Sequence, residues 1–204
     1  MSEKIRILLA VSILIICFSG CVSLNGNLPF EYQPSLLSSS HTIDKKVGMD
    51  LFQDGRPKDD VENTESIKDI SEKITSKLIE DFEKSKLFED LHFSQRVEDD
   101  LIIEGTVNRF MWEMHMTPIV YIPLVNFAVY FGATCIKSNG IADITLVVKD
   151  AKNGKALGTF QADSKVSESY TMYKMKAGAA GAELAEAFRT VAKDLKQQIA
   201  KIIK

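Results

Sequence analysis

The side chains best suited to chemistry in this 204-residue chain are scattered. His41, His92 and His115 lie far apart, and none forms the i, i+4 pair that would seat a metal ion on one helical face. His115 sits between Met114 and Met116, the setting of a packed ring more than of a ligand. Asp59-Asp60 and Asp99-Asp100 are adjacent pairs, and neighbours on a strand point to opposite faces, so neither reads as a general acid–base dyad. Gly178-Ala179-Ala180-Gly181 is too short to cradle phosphate, and there is no GxSxG, CxxC or HExxH. The expectation is a chain without catalytic residues, metal or cofactor. The chemistry that remains belongs to cysteine.

There are three cysteines, Cys17, Cys21 and Cys135. The first twenty residues explain two of them. Met1–Arg6 is short and charged, Ile7–Phe18 is almost wholly apolar, and Phe18-Ser19-Gly20-Cys21 closes the run with two small residues and a thiol. Twelve apolar residues suit a signal-peptide core and are short for a membrane span. The segment resembles the lipobox of bacterial lipoproteins. The resemblance implies cleavage between Gly20 and Cys21, and acylation of the Cys21 sulfur and of the new N-terminus, with palmitate-type chains. Each buried methylene contributes about 0.8 kcal/mol, so two or three chains anchor essentially permanently where one does not. Val22 and Ser23 follow, with no aspartate to act as an inner-membrane retention signal. In a Gram-negative host the expected location is the periplasmic face of the outer membrane.

Removing residues 1–20 takes away two cations and one anion, moving the formal charge from -3 to about -4. A mildly acidic chain offers no basic face for nucleic acid. Cys135 is then the sole remaining free thiol and reads as a buried small hydrophobe. Residues 21–42 are rich in Ser, Asn, Gly and Pro and read as a tether reaching at most ~60–70 Å. Residues 43–204 form one domain.

Within it, KVGMDLF at 46–52 predicts a strand, and Ser66 with Asp69 predicts a helix start. Ile67, Ile70, Ile74, Leu78 and Phe82 set the helical stripe. A short strand is expected at 87–93. A long one at 101–113 places Leu101, Ile103, Val107 and Met111 on one face. Strands at 141–149 and 156–166 join through Asn153-Gly154, a pair that tolerates positive φ. A last helix opens at Gly178–Gly181, with Leu184, Phe188, Val191, Leu195, Ile199 and Ile202 as its stripe. The expected fold is α+β, a mostly antiparallel sheet with two amphipathic helices packed on one face.

The most unusual stretch is the insert 117–136, TPIVYIPLVNFAVYFGATCI, which carries no formal charge. Pro118, Pro123, Asn126 and Gly132 oppose a simple membrane helix. It reads as a core strand and loop, as a hairpin dipping into a membrane surface, or as a dock for a protein or lipid. Trp112, Ile119, Tyr121, Leu124, Phe127, Tyr130 and Phe131 are its candidate contacts.

Taken together, the lipobox, the tether, Leu87-Phe88-Glu89-Asp90-Leu91, Asp99-Asp100-Leu101-Ile102-Ile103-Glu104-Gly105 and Asn153-Gly154-Lys155 resemble periplasmic accessory lipoproteins. These include ABC-transport auxiliary lipoproteins, penicillin-binding-protein activators and relatives with the TolB N-terminal type of domain. The resemblance implies a non-catalytic domain that docks to envelope machinery as an accessory or assembly factor. Its partners would be a membrane, through the lipid, and an envelope protein, with room for a homo-oligomer. The rival is a lipid- or glycolipid-transport protein whose segment 117–136 lines an apolar cavity.

Overall fold

The computed structural model describes residues 42–58, 69–122, 125, 127–174 and 181–203. The signal segment, the tether and the expected cap at Ser66 lie outside them. The element order is β1 (Ile43–Met49), β2 (Gln53–Asp54), α1 (Ile70–Lys84), β3 (Phe88–Phe93), β4 (Leu101–Met116), a 3-10 turn (Pro118–Tyr121), the single turn α2 (Phe127–Tyr130), β5 (Thr134–Asp150), β6 (Ala156–Thr171) and α3 (Ala182–Ile202).

The strands form one six-stranded sheet in the order β3-β1-β4-β5-β6, with β2 also pairing β4. It is mixed, which corrects the mostly antiparallel expectation. β1 runs parallel to both β3 and β4, and β2 is parallel to β4, whereas β4, β5 and β6 form an antiparallel meander. The physical reason is the helix between β1 and β3. A strand–helix–strand passage returns the chain to the same end of the sheet, so its strands pair in parallel.

The return from β3 to β4 also crosses β1, and it uses only residues 94–100. Gly48 makes that short route possible. A Cβ at Gly48 would sit 2.6 Å from the Asp99 carboxylate and 3.0 Å from the Ser94 carbonyl and Gln95 Cα. The crossing is pinned by Ser94 N–H donating to the Met49 carbonyl and Asp100 N–H to the Lys46 carbonyl, both at 2.9 Å. Val47 and Met49 point to the opposite face, into the core. The α1 crossover and this loop therefore use opposite faces in opposite directions, so both have the same hand.

One core unites the stripe of α1 (Ile70, Ile74, Leu78, Phe82), that of α3 (Leu184, Phe188, Val191, Leu195, Ile199) and the inward positions of the sheet. α1 ends in a Schellman motif: Lys86 adopts φ 50°, Leu87 N–H donates to the Phe82 carbonyl, and Lys86 N–H to that of Glu83. Ile202, expected on the α3 stripe, is exposed, and Ile203 is buried beyond the helix end instead.

β4 departs from simple alternation. The register passes from Val107–Ile144 to Arg109–Asp143, so Asn108 is an extra residue on β4. The bulge flips every later side chain. Phe110, not Met111, follows Val107 into the core, where its ring meets Phe188 edge-on at 6.0 Å. Asn108 donates across the solvent face to Asp143 and Thr145.

A buried ion pair locks the helices together. Lys196 on α3 meets Asp81 on α1 at 2.6 Å, both side chains fully buried, and donates to Ser85 at 2.8 Å. Burial pushes the Lys196 ammonium down from its ordinary value, and the Asp81 carboxylate partly restores it. Breaking such a pair from one side strands a buried charge. Lys196→Met is therefore expected to cost about 3–5 kcal/mol in urea unfolding, while Lys196→Met with Asp81→Leu should recover most of that loss. Gly140→Ala tests the other closure. A Cβ there would lie 2.2 Å from backbone atoms of Glu183 and Leu184, and roughly 1–3 kcal/mol should be lost as α3 is forced off the sheet.

Candidate functional site

A helix rises about 1.5 Å per residue and a strand about 3.3 Å. The 21 residues of α3 therefore cover roughly 31 Å, whereas the 17 residues of β5 extend about 56 Å. α3 begins against Gly140 and ends beside Leu101, Asp150 and Leu157. Among the described residues no helix lies over the stretch of β4, β5 and β6 beyond Gly140. That stretch projects as an arm, and the insert is its tip.

The tip exposes Tyr121, Ile122, Val125, Phe127, Tyr130 and Phe131, the last with 90% of its surface open. Ile119 is half-buried, and Leu124 lies outside the described residues. The described residues of the insert thus lie mostly outside the core, although Cys135 at its base is buried, its thiol 3.7 Å from the Tyr170 carbonyl. Sequence reasoning missed Met172 and Tyr173, which follow β6 and are also exposed. Their place follows from the pairing of Thr134 with Thr171, which ends β6 beside the tip. The Tyr173 hydroxyl donates to the Tyr130 carbonyl at 2.8 Å, fastening the two segments. The only signal in the sequence was an apolar pair just past a strand.

Trp112 is elsewhere. Its indole N–H donates inward to Ser138 Oγ at 2.8 Å and to Glu183 Oε2 at 3.1 Å, and the ring packs on the core. Glu183, in the first turn of α3, also accepts from the Tyr170 hydroxyl. Burial would raise the Glu183 carboxyl, but hydrogen bonds from Tyr170, its own backbone N–H, Ser138 and Trp112 hold it below the ordinary range. The hydrogen bond that the Tyr170 hydroxyl donates to this carboxylate, then burial and the negative charges of Glu183 and Glu168, push Tyr170 up to about 12. This cluster fixes the base of the arm to the body. Beside it, Glu113 takes His115 Nε2 at 3.2 Å and Asn139 Nδ2 at 3.4 Å, and Ser167 donates to Asn139 at 2.7 Å.

At the opposite end of the sheet, Lys45, Asp100, Leu101, Asp150, Lys152, Leu157, Ile202 and Ile203 line an open pocket of about 380 Å³. Here the chain enters β1 from its N-terminal segment. Among the described residues no three His, Cys, Asp or Glu side chains gather as a metal site, and no helix is long and apolar enough to cross a membrane. His92 Nε2 lies 3.2 Å from Oδ1 of the buried Asp99, whose Oδ2 accepts from the Arg96 N–H at 2.6 Å and so holds the 94–100 crossing.

Alkaline titration checks the cluster. Tyr170 should ionise near pH 12, against an ordinary tyrosine value of 10.0, and Tyr170→Phe should remove that late absorbance step. A phenol with a raised folded value adds stability below pH ~10 and loses it between about 10 and 12, so the variant's stability should fall less over that window.

No family model matches the chain, and no curated protein matches it. Among solved structures it is similar to a Xanthomonas campestris protein of the family DUF330, at a TM-score of 0.51 and 8% identity, covering 84% of this chain and 92% of that one. A PelC dodecamer from Paraburkholderia phytofirmans is matched at a TM-score of 0.45 and 8% identity, covering 78% and 91%. A minor lipoprotein from Acinetobacter baumannii is matched at 0.41 and 10%, covering 77% and 93%. The first likeness shows a shared fold, and it is at the level of the fold alone that this chain is similar to the DUF330 protein.

Proposed function

We propose that this chain is a non-enzymatic lipoprotein of the bacterial cell envelope, an accessory or assembly factor held on a membrane by acyl chains on Cys21. The observation that carries the reading is the placement of the two ends. The segment leading back to Cys21 joins the sheet at β1, beside the β5–β6 turn, while the exposed tip lies at the far end of β4. Sixteen residues of β4 separate those ends by about 50 Å. A flexible tether of some twenty residues averages only about 25 Å. The body is therefore held close to its membrane at one end and presents an apolar surface at the other.

The fold shared with the DUF330 protein and the resemblance to TolB-N-type accessory domains support a docking role. The lipid-carrier reading needs residues 117–136 to line a cavity. The described ones form an exposed tip instead, and the pocket at the opposite end is lined by four charged side chains. The absence of an aspartate after Cys21 points to the outer membrane in a Gram-negative host.

Two measurements test this reading. Mass spectrometry of the membrane-extracted chain should find residue 21 acylated and residues 1–20 gone, and Cys21→Ser should release the protein from the membrane fraction. A photo-crosslinker at Phe131 should give adducts with envelope components that one at Leu157 does not. An unmodified Cys21, or adducts alike from both ends, sinks the reading.

A further inference from the structure

The charges around the tip are as one-sided as its apolar surface. Residues 117–136 carry none, nor do residues 169–173. Moving from the tip toward the body, the first charged side chains are Lys137 on β5 and Lys174 after β6, both exposed, with His115 paired opposite Lys137 on β4. Carboxylates begin deeper. Glu113 lies opposite Asn139 and Glu168 opposite Ser138, and Glu113 is already engaged with His115 and Asn139. Aromatic rings with a cationic collar suit one surface in particular. Tyrosine rings favour the headgroup layer, phenylalanine the acyl boundary below it, and lysines gain from anionic headgroups.

We infer that the β4–β5 tip, with Met172 and Tyr173, inserts shallowly into an anionic bilayer surface. The inference rests on the anchored reading above and names the tip's occupant. The collar supplies attraction at a distance and the rings supply the insertion, so binding should require both.

The experiment places the full acylated chain in dense phosphatidylcholine vesicles and adds light, dye-labelled acceptor vesicles of phosphatidylglycerol and phosphatidylethanolamine. The anchored chain should link the two populations on flotation, and pure phosphatidylcholine acceptors should be captured at least about tenfold less well. Lys137→Gln and Lys174→Gln should each weaken capture about fivefold at low salt, and the effect should shrink as salt is raised. The triple variant Phe127→Ser, Tyr130→Ser, Phe131→Ser should lose capture by tenfold or more with an unchanged circular dichroism spectrum, since all three side chains are exposed. No capture by the intact chain, or capture that survives the triple variant, overturns the inference. A chain that is acylated and crosslinks proteins through Phe131 without capturing vesicles leaves the accessory role standing and removes the bilayer as occupant. A chain without acyl groups removes the anchored reading, and its flotation with the acceptors alone then decides the tip.

Discussion

Helix and strand advance at different rates, and much of this molecule follows from that mismatch. A 21-residue helix spans about ten residues of strand, so α3 protects only the half of the meander from Gly140 to Asp150. Gly140 sets where the cover begins, because the first turn of α3 lies directly against its backbone. Beyond that contact no described helix covers the sheet, and the large apolar residues described at its end are left mostly exposed. The same contact that closes the core therefore creates the exposed tip.

Polar groups are buried where the body must be held in one arrangement. Asp81 and Lys196 clamp the two helices, at a desolvation cost that an apolar pair would avoid. Glu183 gathers Trp112, Ser138 and Tyr170 at the root of the arm, so the projecting strands are tied to the helix start by directional bonds rather than by oil-like packing. Asp99, under the Gly48 crossing, does the same for the parallel half of the sheet. Each cluster sits at a seam between elements, where apolar contact alone would allow sliding.

Several elements could be read from the residues. The stripes Ile70–Ile74–Leu78–Phe82 and Leu184–Phe188–Val191–Leu195–Ile199 have the helical period, and they are the buried faces of α1 and α3. The inward face Ala142–Ile144–Leu146–Val148 alternates cleanly. Gly154, at φ 68°, closes the β5–β6 turn while Asp150 Oδ1 accepts from Lys152 and Asn153. The face of Met111 could not be read, because alternation assumes an unbroken ladder and the bulge at Asn108 breaks it. Nor could the inward turn of Trp112, whose partners lie 26 and 71 residues away.

The sequence by itself determined the approximate places of α1, α3, β1, β3, β4, β5 and β6, though not of β2 or the full reach of the long strands, where the last hairpin turns, and that twenty uncharged residues interrupt the domain. Those are local matters, set by period, turn chemistry and composition. Only the tertiary structure decided that β1 pairs in parallel on both sides, that Phe110 rather than the equally buried Met111 joins the main core cluster, and that most described apolar residues of the uncharged segment are exposed. It also brought Met172 and Tyr173 to that segment and put both at the end of the sheet away from the N-terminal segment. These depend on pairing between residues distant in the chain, and the hydrophobicity of a side chain does not say whether anything will be there to cover it.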